Sequence, residues 1–472
     1  MRLASSRILV ALLGACLTST LFAYPANIEN QSFSAIIKEH ASLSVIHLNF
    51  EETRRKLWFK YLNDVQGLSA LKAEYKNRAL KYGDKTMRFS LDKIGDAPAE
   101  GYPMYIALHG GGSGPSSMND SQWYAMQSYY RSSVKNGVYV APRGITDTWK
   151  LHSEDESYPL YDKLIEAAVL FDNVDPNRVY FLGFSAGGDG VYQVVPRMPS
   201  RFAAANMSAG HHNWIKFDNL YNTPMLLQVG ENDGAYERNK VSVKNYIILN
   251  ELHAAYGAGF IHDLYMHYNG SHNSWQDNDP ARRDHTIIAY PIAWLNNGNR
   301  ATKTVNSNAI DWMSQYKRQA VPTKLVWDLS VAATSRGYQS GADLLAHDGD
   351  TTTKLAHASS LFYWLDVSIA SHYPENGKLV VEADKATNMI NVIEATNVDA
   401  FKILLNPMLV DLDVPVKIAV QGKQIGTVSV TQDLSVMVRT LLERSDINEI
   451  YDAEVTLSFN QGLQVWEIQN DK

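Results

Sequence analysis

Cysteine is all but missing: the 472 residues hold a single one, Cys16, inside the first apolar stretch. No disulfide framework can form from one thiol. Beyond that stretch neither a cysteine-based zinc site nor a cysteine nucleophile is available. A basic surplus is missing too. Lys and Arg number 43 against 50 Asp and Glu, a net charge of −7, so the cationic footprint of a nucleic-acid binder is absent and no nucleic-acid partner is expected. After residue 23 no run approaches the ~20 apolar residues of a membrane-crossing helix, so no transmembrane span is expected. Fixed-period repeats and low-complexity tracts are also lacking. What is present is ordinary globular usage, 45% hydrophobic and 20% charged. The length is about three times the ~150-residue prior for one domain, which implies two or three folded units.

The first segment reads as a targeting signal. Arg2 and Arg7 give a positive start, residues 8–15 are an unbroken apolar run, and small apolar residues continue to Ala23 before Tyr24 and Pro25. A signal peptide over residues 1–23 implies a secreted or periplasmic protein. An alternative lies in Leu13-Gly14-Ala15-Cys16, which resembles a bacterial lipobox and would make Cys16 a lipid anchor holding the protein to the membrane.

Residues 24–85 carry helical periodicity, notably over 51–65 and 68–82, with Gly83 as a stop. From residue 86 the texture changes. Short apolar runs at 104–108, 138–141, 179–182, 203–207, 225–229 and 264–268 are separated by helix-length segments such as 159–172, 189–198 and 240–256. Continuous apolar strands alternating with helices imply a mostly parallel sheet with helices on both faces, an α/β domain over 86–317. Past Pro322 helical periodicity fades. Residues 323–472 read as a mostly β domain of sandwich type with one helix near 436–443, in which Phe362, Tyr363 and Trp364 are expected as core.

The run at 179–182 leads into Gly183-Phe184-Ser185-Ala186-Gly187-Gly188 and then a helical segment. A serine between glycines at a strand-to-helix turn sits on strained backbone with its hydroxyl exposed, and the helix N-terminus behind it favours developing negative charge. Alone the pattern is also that of any tight glycine turn. Two further features set it apart. The run at 104–108 ends in His109-Gly110-Gly111-Gly112-Ser113-Gly114, whose backbone N–H groups can form one side of an oxyanion hole. No Gly-Lys-Ser/Thr follows, so this is not a phosphate loop. Later strands end in Gly230-Glu231-Asn232-Asp233 and in Gly270-Ser271-His272, giving the order Ser, Asp, His at carboxyl ends of strands, where such sheets carry their sites.

The expected catalytic set is therefore Ser185 as nucleophile, His272 as base and Asp233 as orienting acid. Gly110, Gly111 and Ala186 would supply the oxyanion N–H groups. Glu231 is the competing acid. Asp263 should lie at the wrong end of its strand, and His267 inside one. Trp123, Tyr124, His211 and His212 are candidates for the substrate pocket, with Asn119 and Asp120 beside the first two. Asp189 is expected to complement the helix N-terminus. Two adjacent histidines rarely share a metal, so neither a metal nor a cofactor is expected.

These motifs, at 109–114, 183–188, 230–236 and 270–275, resemble the α/β-hydrolase superfamily, in particular secreted serine esterases of the polyhydroxybutyrate-depolymerase and feruloyl-esterase type. The stretch 409–423 resembles a C-terminal β extension of some secreted bacterial hydrolases. The resemblance covers about residues 86–316 and implies a carboxylic ester hydrolase acting through an acyl-enzyme on a small-molecule or polymeric ester. The Gly187-Gly188 pair also resembles prolyl-oligopeptidase-type serine peptidases, although no β-propeller precedes the domain. From a different class, an inactive hydrolase fold whose β domain serves binding or adhesion is the further alternative.

Overall fold

The computed structural model describes residues 31–39, 49–273, 284–331, 360–371 and 376–469. The segment at 1–23, with Cys16, lies outside them. Among the described residues no helix is long and apolar enough to cross a membrane.

Ten strands form one sheet: β1 (Ala79–Tyr82), β2 (Lys85–Ile94), β3 (Tyr102–Leu108), β4 (Gly137–Pro142), β5 (Val174–Phe184), β6 (Ala204–Ser208), β7 (Met225–Gly230), β8 (His262–His267), β9 (Asp284–Ile288) and β10 (Thr302–Asn306). Their spatial order is β1-β2-β4-β3-β5-β6-β7-β8-β9-β10. The inner six run parallel, and an antiparallel pair closes each edge. This is an α/β-hydrolase fold. Alternate residues of β3 serve opposite faces: Met104, Ile106 and Leu108 join one core with Leu164, Val191 and Val243 of the covering helices, while Tyr105 and Ala107 join another with Met126 and Trp312. Strands buried on both faces must be apolar throughout, which is why they read as continuous runs.

The sheet begins at Ala79, inside the segment expected to be helical. The helix Val65–Lys76 stops there, Arg78 takes a left-handed φ of 57°, and β1 pairs with β2 around Gly83, itself at φ 55°. Gly83 is thus a hairpin residue, where a positive φ costs a glycine little, and not a helix stop.

After Pro322 two five-stranded sheets face each other across one core. Trp327, Leu379, Val381 and Ile418 come from one sheet, and Leu365, Phe401, Ile403 and Leu457 from the other. Phe362, Tyr363 and Trp364 are buried there. The helix Leu434–Arg444 lies outside the sandwich. It packs Leu434, Met437, Val438 and Leu441 against Phe33, Ile36, Phe50, Leu57 and Tyr61 of the N-terminal helices.

Candidate active site

Ser185 ends β5 and opens the helix Ala186–Val194 with φ 58° and ψ −121°, backbone few non-glycine residues adopt. The turn closes because its neighbours lack side chains. A Cβ on Gly183 would lie 2.3 Å from the Gly187 carbonyl oxygen, and one on Gly187 2.2 Å from the Leu108 carbonyl oxygen. The Ser185 amide donates to the Ser208 carbonyl at 2.9 Å, fixing the turn to β6.

Two loops meet it. Gly230 ends β7 so close to the loop after β8 that a Cβ would sit 2.5 Å from the carbonyl oxygens of Gly270 and Ser271. The Asn232 amide donates to the Gly270 carbonyl at 2.7 Å, and Glu231 to that of His267 at 2.9 Å. These contacts bring Asp233 and His272 together. His272 Nδ1 lies 2.7 Å from Asp233 Oδ2, and His272 Nε2 lies 3.0 Å from Ser185 Oγ. The Asp233 carboxylate is buried, with Arg238 Nη1 3.7 Å from its other oxygen. An imidazole held by a buried carboxylate at one nitrogen presents the other as a proton acceptor to the serine hydroxyl.

Glu231 is engaged elsewhere. Its oxygens take Arg300 Nε at 2.5 Å and Arg300 Nη2 at 2.7 Å, with the Asn269 amide at 2.9 Å and Trp294 Nε1 at 3.2 Å. The Arg300 guanidinium, chiefly by hydrogen bonding, holds this carboxyl below its usual range. Asp263 accepts from Trp312 Nε1 at 2.7 Å, and His267 is buried against Gln228.

On the facing side β3 runs into Gly110, whose Cα lies so near the serine that a Cβ would be 3.3 Å from Ser185 Cβ. Gly111 and Gly112 take φ of 115° and 133°. Asn119 pins the loop: its Oδ1 accepts from the Gly112 amide at 3.0 Å and its Nδ2 donates to the Gly112 carbonyl at 2.9 Å. Asp120 binds Arg143 Nε at 2.9 Å. No protein acceptor among the described residues takes the N–H of Gly110 or Gly111. The amide of Ala186, at the first helical position, is one that a helix leaves without an internal partner.

The pocket candidates divide. Trp123 is buried, its Nε1 donating to the Ala141 carbonyl at 2.8 Å, and packs in the core with Met126 and Tyr139. Tyr124 is exposed. His211 is anchored through its amide to Asp189 Oδ1 at 2.6 Å, and half-buried His212 lies between the rings of His211 and exposed Trp214. Burial pushes the His212 imidazole down to about 4 and the Asp189 carboxyl up. Trp149 and Tyr236 escaped the sequence reading. Trp149 lies on Gly112, where a Cβ would be 2.4 Å from its ring, and 6.4 Å from the Tyr236 ring, both being exposed. Trp149 lies in no motif, and Tyr236 ends the one at 230–236 without a role assigned to it. Among the described residues no His, Cys, Asp and Glu cluster could hold a metal.

No family model and no curated protein matches the chain. Among solved structures, a thermostable esterase is similar at 21% identity and a TM-score of 0.33, over 51% of this chain and 63% of its own. A poly(3-hydroxybutyrate) depolymerase from Bordetella parapertussis matches at 15% identity and a TM-score of 0.33, over 40% and 80% of the two chains. An acylaminoacyl peptidase from Pyrococcus horikoshii matches at 16% and 0.30, over 41% and 37%. The chain therefore spans less than two thirds of the esterase. Likenesses this partial say nothing of activity.

Proposed function

We propose that the chain is a serine hydrolase that cleaves carboxylic esters. The observation that carries the reading is the unbroken hydrogen-bond chain from Ser185 Oγ through His272 to Asp233, at 3.0 and 2.7 Å. In this reading His272 Nε2 takes the hydroxyl proton as Ser185 Oγ attacks the acyl carbonyl. Asp233 keeps the proton on Nδ1 and stabilises the imidazolium. The N–H groups of Gly110, Gly111 and Ala186 receive the developing oxyanion; one such donor is worth about 3 kcal/mol of barrier. The imidazolium then protonates the leaving alkoxide, and water activated by the same imidazole releases the acid from Ser185. The leader at residues 1–23 supports action outside the cytoplasm.

Hydrolysis of short-chain p-nitrophenyl esters by the wild type and by Ser185→Ala tests this. Turnover that falls by a factor of about 10³ or more in the variant is expected. Equal rates would overturn the reading. An amide panel run beside the esters separates the peptidase alternative, since amides need stronger protonation of the leaving group.

A further inference from the structure

Two histidines near the site take no part in the proton path. His109 is fully buried where β3 ends, and His152 is equally buried in the loop before the helix Ser157–Asp172. Their rings meet edge to face at 4.6 Å. His109 Nε2 accepts from the Gly144 amide at 3.0 Å, so its proton is on Nδ1, which donates to the Gly110 carbonyl at 2.6 Å. His152 Nε2 donates to the His109 carbonyl at 2.8 Å. His152 is itself wedged in place. Tyr161 Oη donates to its carbonyl at 3.0 Å, and Gly190, on the helix behind Ser185, leaves room for it; a Cβ there would lie 2.8 Å from His152 Cβ.

The consequence follows from peptide planarity. A trans peptide points its N–H opposite to its carbonyl, and both turn together. The carbonyl that His152 holds belongs to the plane carrying the Gly110 N–H. The carbonyl that His109 holds belongs to the plane carrying the Gly111 N–H. Each histidine thus sets one of the two free amides of a glycine run that would otherwise sample many conformations. Asn119 fixes the following residue, Gly112, at both its amide and its carbonyl.

We propose that His152 and His109 are positioning residues that orient the Gly110 and Gly111 N–H groups toward the oxyanion formed at Ser185. The inference rests on the serine-hydrolase reading and adds to it two residues that touch no substrate. Burial keeps both imidazoles neutral, His109 pushed down to about 4 and His152 well below its usual range; for His109 this agrees with an Nε2 that accepts.

The test uses the full chain with His152→Phe, which keeps a flat ring but loses the donor, and His152→Gln, whose amide N–H can reach the same carbonyl. Three quantities are read: kcat and KM on p-nitrophenyl acetate, the rate of Ser185 labelling by a fluorophosphonate followed by intact mass, and the thermal midpoint. In His152→Phe, kcat and the labelling rate should fall by a factor of about 30 or more while KM stays within about twofold. His152→Gln should recover about tenfold of that loss. A fully active, fully labelled His152→Phe overturns the proposal and leaves the hydrolase reading standing. If wild-type Ser185 is neither labelled nor active, the hydrolase reading itself fails and this inference falls with it. Should His152→Phe lose its cooperative melting, His152→Asn, whose amide is too short to reach the carbonyl, is judged by the same criteria.

Discussion

Asp233 and Glu231 stand two positions apart on one loop, yet the structure gives them opposite partners. Asp233 faces His272 and Glu231 faces Arg300. Replacing each by its amide should separate chemistry from support. Asp233→Asn leaves the imidazole without its orienting acceptor, and kcat should fall by a factor of about 10⁴ with little change in folding. Glu231→Gln breaks a bidentate charged pair and is expected to cost about 1 to 3 kcal/mol of stability, read by urea unfolding, with a much smaller effect on kcat. Reversal of the two outcomes would hand the acid role to Glu231.

A third carboxyl reports on the other domain. The Glu443 side chain is buried on the helix Leu434–Arg444, 3.5 Å from Arg439 and near Asp366. Burial, only partly offset by Arg439, pushes its carboxyl from 4.5 up to about 7. Between those values the unfolded chain has released this proton and the folded chain still holds it, so rising pH through the window removes stability. Glu443→Gln should escape that loss. Compared with the wild type it should gain roughly 2 to 3 kcal/mol between pH 4.5 and pH 8, measured as the change in urea unfolding free energy. No gain across the window would contradict the assignment.

At the scale of elements, the strands that carry the site were the most legible part of the sequence. Strands β3, β5, β6, β7 and β8 are buried on both faces, and their runs show neither alternation nor helical period. Their ends carry Gly110, Ser185, Asp233 and His272, so finding the strands also located the candidate residues. Elements that depend on distant contacts were less visible. β1 has four residues directly after a helix of matching texture, and only its pairing with β2 makes it a strand. Trp123 lies on a helix with buried Asn119 and Met126, spacing that reads the same whether that face meets a ligand or a sheet. His152 belongs to no motif, and its role depends on a carbonyl 43 residues earlier. The glycines of the nucleophile turn were legible because their constraint is local. Gly187→Ala tests that constraint: its methyl would meet the backbone of β3, which cannot yield as a side-chain tip can. A loss of about 3 kcal/mol or more and of ester hydrolysis is expected. A stable, active Gly187→Ala would mean that β3 and the helix are less tightly apposed than the structure has them.

For the whole molecule, the ten-stranded sheet and the two-sheet sandwich are different architectures, but they are not independent. Arg318 and Arg201 of the α/β part are buried against Asp446 and Glu449 of the C-terminal part; Arg318 is hydrogen-bonded to Asp446, and Glu449 lies 3.8 Å from each arginine. Arg201 Nη1 also donates to the Arg444 carbonyl at 3.0 Å, Trp364 Nε1 to that of Pro322 at 2.7 Å, and the Asp328 amide to Asn219 Oδ1 at 2.7 Å. The N-terminal helices close the assembly by packing on the helix Leu434–Arg444. A buried arginine deprived of its carboxylate is strongly penalised, by about 3 to 5 kcal/mol. Asp446→Asn should therefore lower the stability of both parts at once. The expected result is a single unfolding transition, shifted to lower denaturant, in which loss of ester hydrolysis tracks the fluorescence of the buried sandwich tryptophans Trp327 and Trp364. If the sandwich melted first and left hydrolysis intact, the charges at this interface would be a local repair of each surface and not a bond between the two halves. The C-terminal part would then be an appended module, free to be exchanged or lost. Coincident loss of both signals would instead make the sandwich a structural requirement of the candidate site.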